Sequence, residues 1–200
     1  MADEIELRSY LATVLTDAQP PDNPIVGAGW AGIAFDRNLH QDLALTDVWE
    51  AWLGVHRDMV GPDAVLFVES LVSVDQAAAR GAILLPNMES LRRYWMDDAK
   101  FLRDHYVISQ KSGFVIRLDQ DVTRFAANAG FLSKVIERLS GLGSVMSRMV
   151  DDFDPGEGDP VGLQHFLDEI VAPLIRKAPS IRLSLKMVLQ LMCTRVNWSR

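Results

Sequence analysis

The hydrophobic pattern of the chain divides it into helical and strand-like stretches. Residues 3–17 carry apolar side chains three and four positions apart, which predicts a first helix that ends before Pro20. Residues 47–60 repeat this spacing, and Gly61 followed by Pro62 predicts the end of a second helix. The apolar stripe of the second helix consists of Val48, Trp49, Trp52, Leu53, His56, Met59 and Val60.

Four stretches have the composition of strands. Residues 64–74 are rich in β-branched side chains and predict a buried strand, and residues 82–86 predict a second short one. Residues 106–109 and 114–118 are separated by four residues ending in Gly113, which can take a positive φ. The last two stretches therefore predict a β-hairpin.

Helical spacing returns on both sides of this hairpin. Asn87 has the position of an N-cap before a helix, and residues 122–139 predict another helix with a kink at Gly130. Residues 141–143 separate it from a further helix over residues 145–153. The pattern predicts an α+β fold with a small, largely antiparallel sheet covered by several helices and a helical C-terminal part.

The domain organisation follows from the loop signals. The 200 residues are 48% hydrophobic and 24% charged, which excludes collagen-like, low-complexity, disulfide-framework and wholly disordered classes. We predict a mixed α+β domain over residues 1–153, a hinge at 154–160, and a helical extension over 161–200 packed on the same domain. Residues 181–187 alternate like a strand, but a polar stripe through them also fits a helix, which we favour.

The sequence predicts a cytoplasmic protein. Cys193 is the one cysteine, so no intramolecular disulfide can form. Asp3, Glu4 and Glu6 stand where a signal peptide would carry positive charge, and no stretch has the 18 or so apolar residues of a membrane span.

The net charge of −7 is unevenly distributed along the chain. All 27 acidic residues lie at or before Glu169 with 14 basic ones, which gives −13, whereas residues 170–200 hold six basic residues and no acid. Such a segment can pack on its own acidic body or bind a partner, and we predict a protein partner or a homodimer rather than nucleic acid. The predicted partner-binding residues are Arg176, Lys177, Arg182, Lys186 and Trp198.

A glycine motif suggests a second function. Gly27, Gly29 and Gly32 form G-x-G-x-x-G, which resembles the phosphate-binding fingerprint of the Rossmann dinucleotide-binding families. The resemblance implies a strand, a tight turn and a helix whose N-terminus binds a pyrophosphate. Only two apolar residues, Ile25 and Val26, lie between Pro24 and Gly27, where the families have a longer strand, and Glu50 falls inside a predicted helix where the families end a strand. The other interpretation is that these small residues let a helix or turn pack closely on a neighbour.

The remaining polar motifs give no coherent catalytic set. His40 and His56 are the acid–base candidates, although His56 lies on an apolar stripe and is expected in a core or an interface. His40 and Asp42 lack a third ligand at a recognisable spacing, and the acidic residues from 151 to 159 depart from the EF-hand pattern. We therefore predict neither a metal nor a cofactor.

The leading hypothesis is a non-catalytic cytoplasmic protein, regulatory or adaptor in role, that binds a protein partner or a small ligand. The alternative is a nucleotide-binding enzyme that uses Gly27, Gly29 and Gly32 at a phosphate, with His40 or His56 as its acid–base group.

Overall fold

The computed structural model describes residues 30–36, 45–61, 64, 66–70, 82–97, 105–109, 111–118 and 122–152. These ranges contain six strands: β1 (Trp30–Asp36), β2 (Leu66–Ser70), β3 (Ala82–Leu84), β4 (His105–Ser109), β5 (Phe114–Leu118) and β6 (Val122–Asn128). They also contain four helices: α1 (Thr46–Val60), α2 (Met88–Met96), α3 (Ala129–Arg138) and α4 (Leu142–Asp152).

The strands form one antiparallel sheet in the order β1-β6-β5-β4-β2-β3. Ile33 of β1 and Ile116 of β5 both pair with Phe125 of β6, so the three side chains point to the same face. Aromatic side chains of α1 and α3 contact this face. The predicted α+β fold with an antiparallel sheet and a helical end is confirmed for the described part of the chain.

The hydrophobic core lies between this sheet face and the helices. Trp52 of α1 is fully buried, and its ring centroid lies 5.7 Å from Phe114, 5.2 Å from Phe125 and 5.1 Å from Phe131. Trp49, one turn earlier, lies 5.0 Å from Phe125. The stripe read from the sequence is therefore the side by which α1 is anchored to the sheet as far as His56, whereas Met59 near the end of the helix is 43% exposed.

The opposite face of the sheet is buried as well. Arg117 of β5 pairs in register with Arg124 of β6, and the two side chains are 6% and 1% exposed. Val115, two residues before Arg117 on the same face, is also buried. Strands enclosed on both faces lose the apolar–polar alternation by which half-exposed strands are usually found.

The two ends of helix α2 are defined by Asn87 and Asp97. Asn87 accepts a hydrogen bond from the Ser90 amide at 2.8 Å, which confirms the predicted N-cap. Asp97 has extended backbone angles, so the helix ends at Met96. Arg57, in the last turn of α1, donates from Nη1 to the carbonyl of Pro86 at 2.5 Å. This hydrogen bond links the end of α1 to the start of α2.

The predicted hairpin is formed by β4 and β5. Gly113 has φ +67°, and a Cβ there would lie 2.5 Å from Nδ2 of Asn128, so only glycine fits. Asn128 Nδ2 donates to the carbonyls of Ser112 at 3.0 Å and Gly113 at 3.3 Å, and its Oδ1 accepts from the Phe131 amide at 3.0 Å. One side chain therefore caps α3 and holds the hairpin turn.

Two sequence interpretations are corrected. Val122–Asn128 is strand β6 and not the start of a helix, because its backbone bonds to strands on both sides and Asn128 caps a helix that begins at Ala129. Ala31 and Gly32 lie in strand β1 and not in a helix or a turn, while Gly27, Ala28 and Gly29 lie outside the described residues.

The predicted first helix over residues 3–17, the hinge at 154–160 and the extension over 161–200 lie outside the described residues, as does the choice between helix and strand at 181–187. Of the helices in the described ranges, none has both the length and the hydropathy that crossing a membrane requires.

Replacement of Asn128 by Asp tests the double role of its side chain. Asn128→Asp keeps a cap oxygen but turns a second oxygen toward two carbonyls, so we expect a loss of about 1 to 3 kcal/mol in the free energy of unfolding. The matched variant Asn87→Asp changes a cap alone and should stay within about 0.5 kcal/mol of wild type. Urea unfolding measures both, and equal losses would contradict the role of Asn128 in the hairpin.

Candidate functional site

His56, an acid–base candidate from the sequence, lies fully buried in α1. Its Nδ1 is hydrogen-bonded to Ser112 Oγ, and Ser112 in turn accepts from Ser109 Oγ at 3.3 Å. The His56 ring also packs edge-on against Phe114 at 5.3 Å. A histidine beside a serine has the composition of a base and its nucleophile. Ser112 is only 2% exposed, so the pair lies inside the core, where it joins α1 to the hairpin.

The glycine motif is described at its last position only. Gly32 lies inside β1, where it pairs with Ala126 of β6. In the Rossmann fingerprint the third glycine lies at the start of a helix that follows the first strand directly. Gly27 and Gly29 lie outside the described residues, and ligand binding by the three glycines stays a prediction.

Other sequence candidates also lie outside the described ranges. They are His40 and the five predicted partner-binding residues of the C-terminal segment, Arg176, Lys177, Arg182, Lys186 and Trp198. In the part of the chain that the structure describes, no group of three or more His, Cys, Asp or Glu residues is arranged to hold a metal ion.

A cavity that no sequence motif indicated opens between α1, α3 and α4. This interhelical cavity has a volume of about 220 Å³. Its polar lining consists of Asp47, Arg138, Ser140, Ser144 and Arg148. Its apolar lining consists of Phe35, Val48, Leu139 and Val145. A concave site on which several polar groups converge is a candidate for binding a small molecule.

Arg148 of α4 is held at the cavity by two contacts. Its Nη1 and Nη2 donate to the Asp47 carboxylate of α1 at 2.5 and 3.0 Å, a bidentate arrangement that fixes the guanidinium plane. The guanidinium carbon also lies 5.5 Å from the centroid of the Phe35 ring. The hydrogen bond from Arg148 lowers the pKa of Asp47 below its usual 3.8, more than partial burial raises it.

Arg138, in the last turn of α3, is held in a similar way. Its Nη2 donates to Asp58 of α1, and its Nη1 lies against Gly54. A Cβ at position 54 would collide with that nitrogen, so the glycine lets the guanidinium lie flat on α1. Arg138 also borders a second, more open cavity of about 420 Å³. The side chain of Arg138 therefore lines both of these cavities.

The turn after α3 brings Ser140 to the interhelical cavity. Leu139 ends α3, and the Gly141 amide donates to the Ile136 carbonyl at 2.9 Å, which closes the helix in a Schellman arrangement. Ser140 has φ +68° at the position that glycine usually occupies there. Unusual backbone conformations of this kind are concentrated at functional sites, which makes Ser140 a candidate binding residue of this cavity.

The comparisons with known proteins add no family. A scan of protein-family models, a search of curated proteins and a search of solved structures each found no match to this chain. The described residues form an antiparallel sheet with a helix layer on one face and a cavity within that layer.

The ion pair at the cavity predicts a pH effect. A carboxylate with a lowered folded-state pKa contributes stability above its unfolded pKa, and the contribution is lost as the pH falls through the folded value. Asp47→Asn should cost about 0.5 kcal/mol at pH 7, since the pair is largely exposed. Urea unfolding from pH 7 to pH 2 should show wild type and variant converging in acid. A difference that stays constant or grows toward acid would contradict the pairing.

Proposed function

We propose that this protein is a non-catalytic binding protein, regulatory in role, that holds a small ligand in the interhelical cavity. The observation that carries the proposal is the pair of arginines, Arg138 and Arg148, that reach one cavity from different helices. Each is fixed by a carboxylate and by a second contact with Gly54 or Phe35. Preorganised polar groups lose less conformational entropy when a ligand binds.

A non-catalytic role is supported by the position of His56 and Ser112. A general base must lie within hydrogen-bond reach of the proton it removes from a substrate. Both side chains are enclosed between α1, the hairpin and Phe114, with exposures of 0% and 2%. Among the described residues, the interhelical cavity itself is lined by arginine, aspartate, serine and apolar residues, and none of these is a histidine or a cysteine that could act with the serines.

Two predictions from the sequence remain open beside this one. A protein partner or homodimer at the basic C-terminal segment stays a prediction, and light scattering on the full chain would detect self-association. Nucleotide binding at the glycine motif also stays a prediction, and the mid-strand position of Gly32 lends it no support.

The proposal is tested by thermal unfolding with a panel of small molecules. The panel comprises phosphates, carboxylates, amino acids, sugars, amines and the dinucleotides NAD, NADP and FAD. A ligand at 100 times its Kd stabilises the folded state by about 2.7 kcal/mol, which raises Tm by several degrees. Ser144→Trp fills the cavity, whereas Ser133→Trp adds the same side chain at an exposed α3 position that lines neither cavity.

We expect at least one compound to raise Tm of wild type and of Ser133→Trp, but not of Ser144→Trp. No shift by any compound, or a shift that survives in Ser144→Trp, would overturn the proposal. If a dinucleotide raises Tm of wild type but not of Gly29→Glu, nucleotide binding at the glycine motif would be established instead.

A further inference from the structure

The two arginines of the interhelical cavity have donors beyond those used by their carboxylates. A guanidinium carries five N–H donors. Arg148 gives two of them to Asp47, and Arg138 gives one to Asp58. The remaining donors belong to groups whose positions are already fixed, so a ligand can accept from them without displacing either ion pair.

The charge of the cavity lining opposes the charge of the chain. Among the described lining residues, two arginines and Asp47 give a net charge of +1, with Asp58 paired to Arg138 beside the lining, whereas the whole chain carries −7. The guanidiniums are partly exposed, so water competes for their donors and the attraction of an anion to them depends on ionic strength. The lining therefore favours an anion over a neutral or cationic ligand.

The hydroxyls restrict the kind of anion. Ser140 and Ser144 also line the cavity, and each carries a hydroxyl that can donate a hydrogen bond. A carboxylate has two oxygens, whereas a phosphate offers three or more around a tetrahedron. Arginine also binds phosphate with the same bidentate geometry that it uses for carboxylates.

We propose that the interhelical cavity binds a phosphate group between Arg138 and Arg148, with the hydroxyls of Ser140 and Ser144 as further donors. This inference rests on the proposed function and names its ligand class. The cavity of about 220 Å³ is many times larger than the roughly 10–15 Å³ that a single buried water molecule requires. It therefore accommodates a phosphate together with a small substituent, such as that of a phosphomonoester.

The test is calorimetric titration of the full chain at constant ionic strength with inorganic phosphate and, separately, glycerol phosphate. Arg138→Gln removes a guanidinium from the lining and should weaken phosphate binding at least tenfold. Arg93→Gln is the matched control, because Arg93 also donates to a carboxylate, Glu89, but lies exposed on α2 away from the cavity. It should change the affinity less than twofold.

Asp47→Asn provides a second variant whose effect has the opposite sign. Removal of this carboxylate raises the net charge of the lining and frees two donors of Arg148. This gain should exceed the loss of the contact that holds the guanidinium in place, so phosphate should bind at least threefold more tightly although the fold is slightly less stable. A variant that merely damages the structure would weaken binding. Circular dichroism of each variant confirms that it is folded.

Two outcomes would overturn the inference. One is that phosphate and glycerol phosphate fail to bind at constant ionic strength. The other is that Arg138→Gln and Arg93→Gln weaken binding equally, which would indicate an unspecific charge effect. If a sugar or an amine binds in a manner lost in Ser144→Trp while both phosphates fail, the proposed function stands and the phosphate assignment falls. Tighter binding of glycerol phosphate than of inorganic phosphate would identify a phosphomonoester as the ligand.

Discussion

The structure depends on the burial of one face of α1 against the aromatic residues of the sheet. Trp49 and Trp52 are almost completely enclosed, and between them they contact Phe114, Phe125 and Phe131. Removal of one such side chain from a core typically costs about 3 to 5 kcal/mol, a large part of the net stability of a domain. The orientation of α1 is therefore set by its tryptophans, and the polar contacts around it follow.

Once α1 is anchored, it positions three polar arrangements, one on the buried stripe and two on its other sides. His56 continues the buried stripe, and Ser112 from the hairpin provides the hydrogen bond that a buried imidazole requires. Asp47 near the beginning of the helix and Asp58 near its end bind Arg148 and Arg138, respectively. The interhelical cavity is thus a consequence of docking α1 against the sheet while α3 and α4 pack beside it. Its two guanidiniums are held by the same element that holds the core together.

The parts of the fold that could be predicted are those whose signal is local. The stripe of α1, the cap at Asn87 and the turn at Gly113 each depend on residues a few positions apart. Strand β6 was missed because both of its faces are buried, so Phe125, Ala126 and Ala127 follow one another without the alternation of a half-exposed strand. The candidate site could not be predicted, because Asp47 and Arg148 are 101 positions apart and meet only through the tertiary fold.

The central claim is that the cavity beside α1 is the ligand site, and an NMR titration of backbone amides with inorganic phosphate at constant ionic strength tests it most directly. The account predicts saturable shifts concentrated at residues 138–148 and at Asp47 and Val48, with little change at the exposed arginines of α2. Shifts that do not saturate, or that are largest at Arg92 and Arg93, would contradict it.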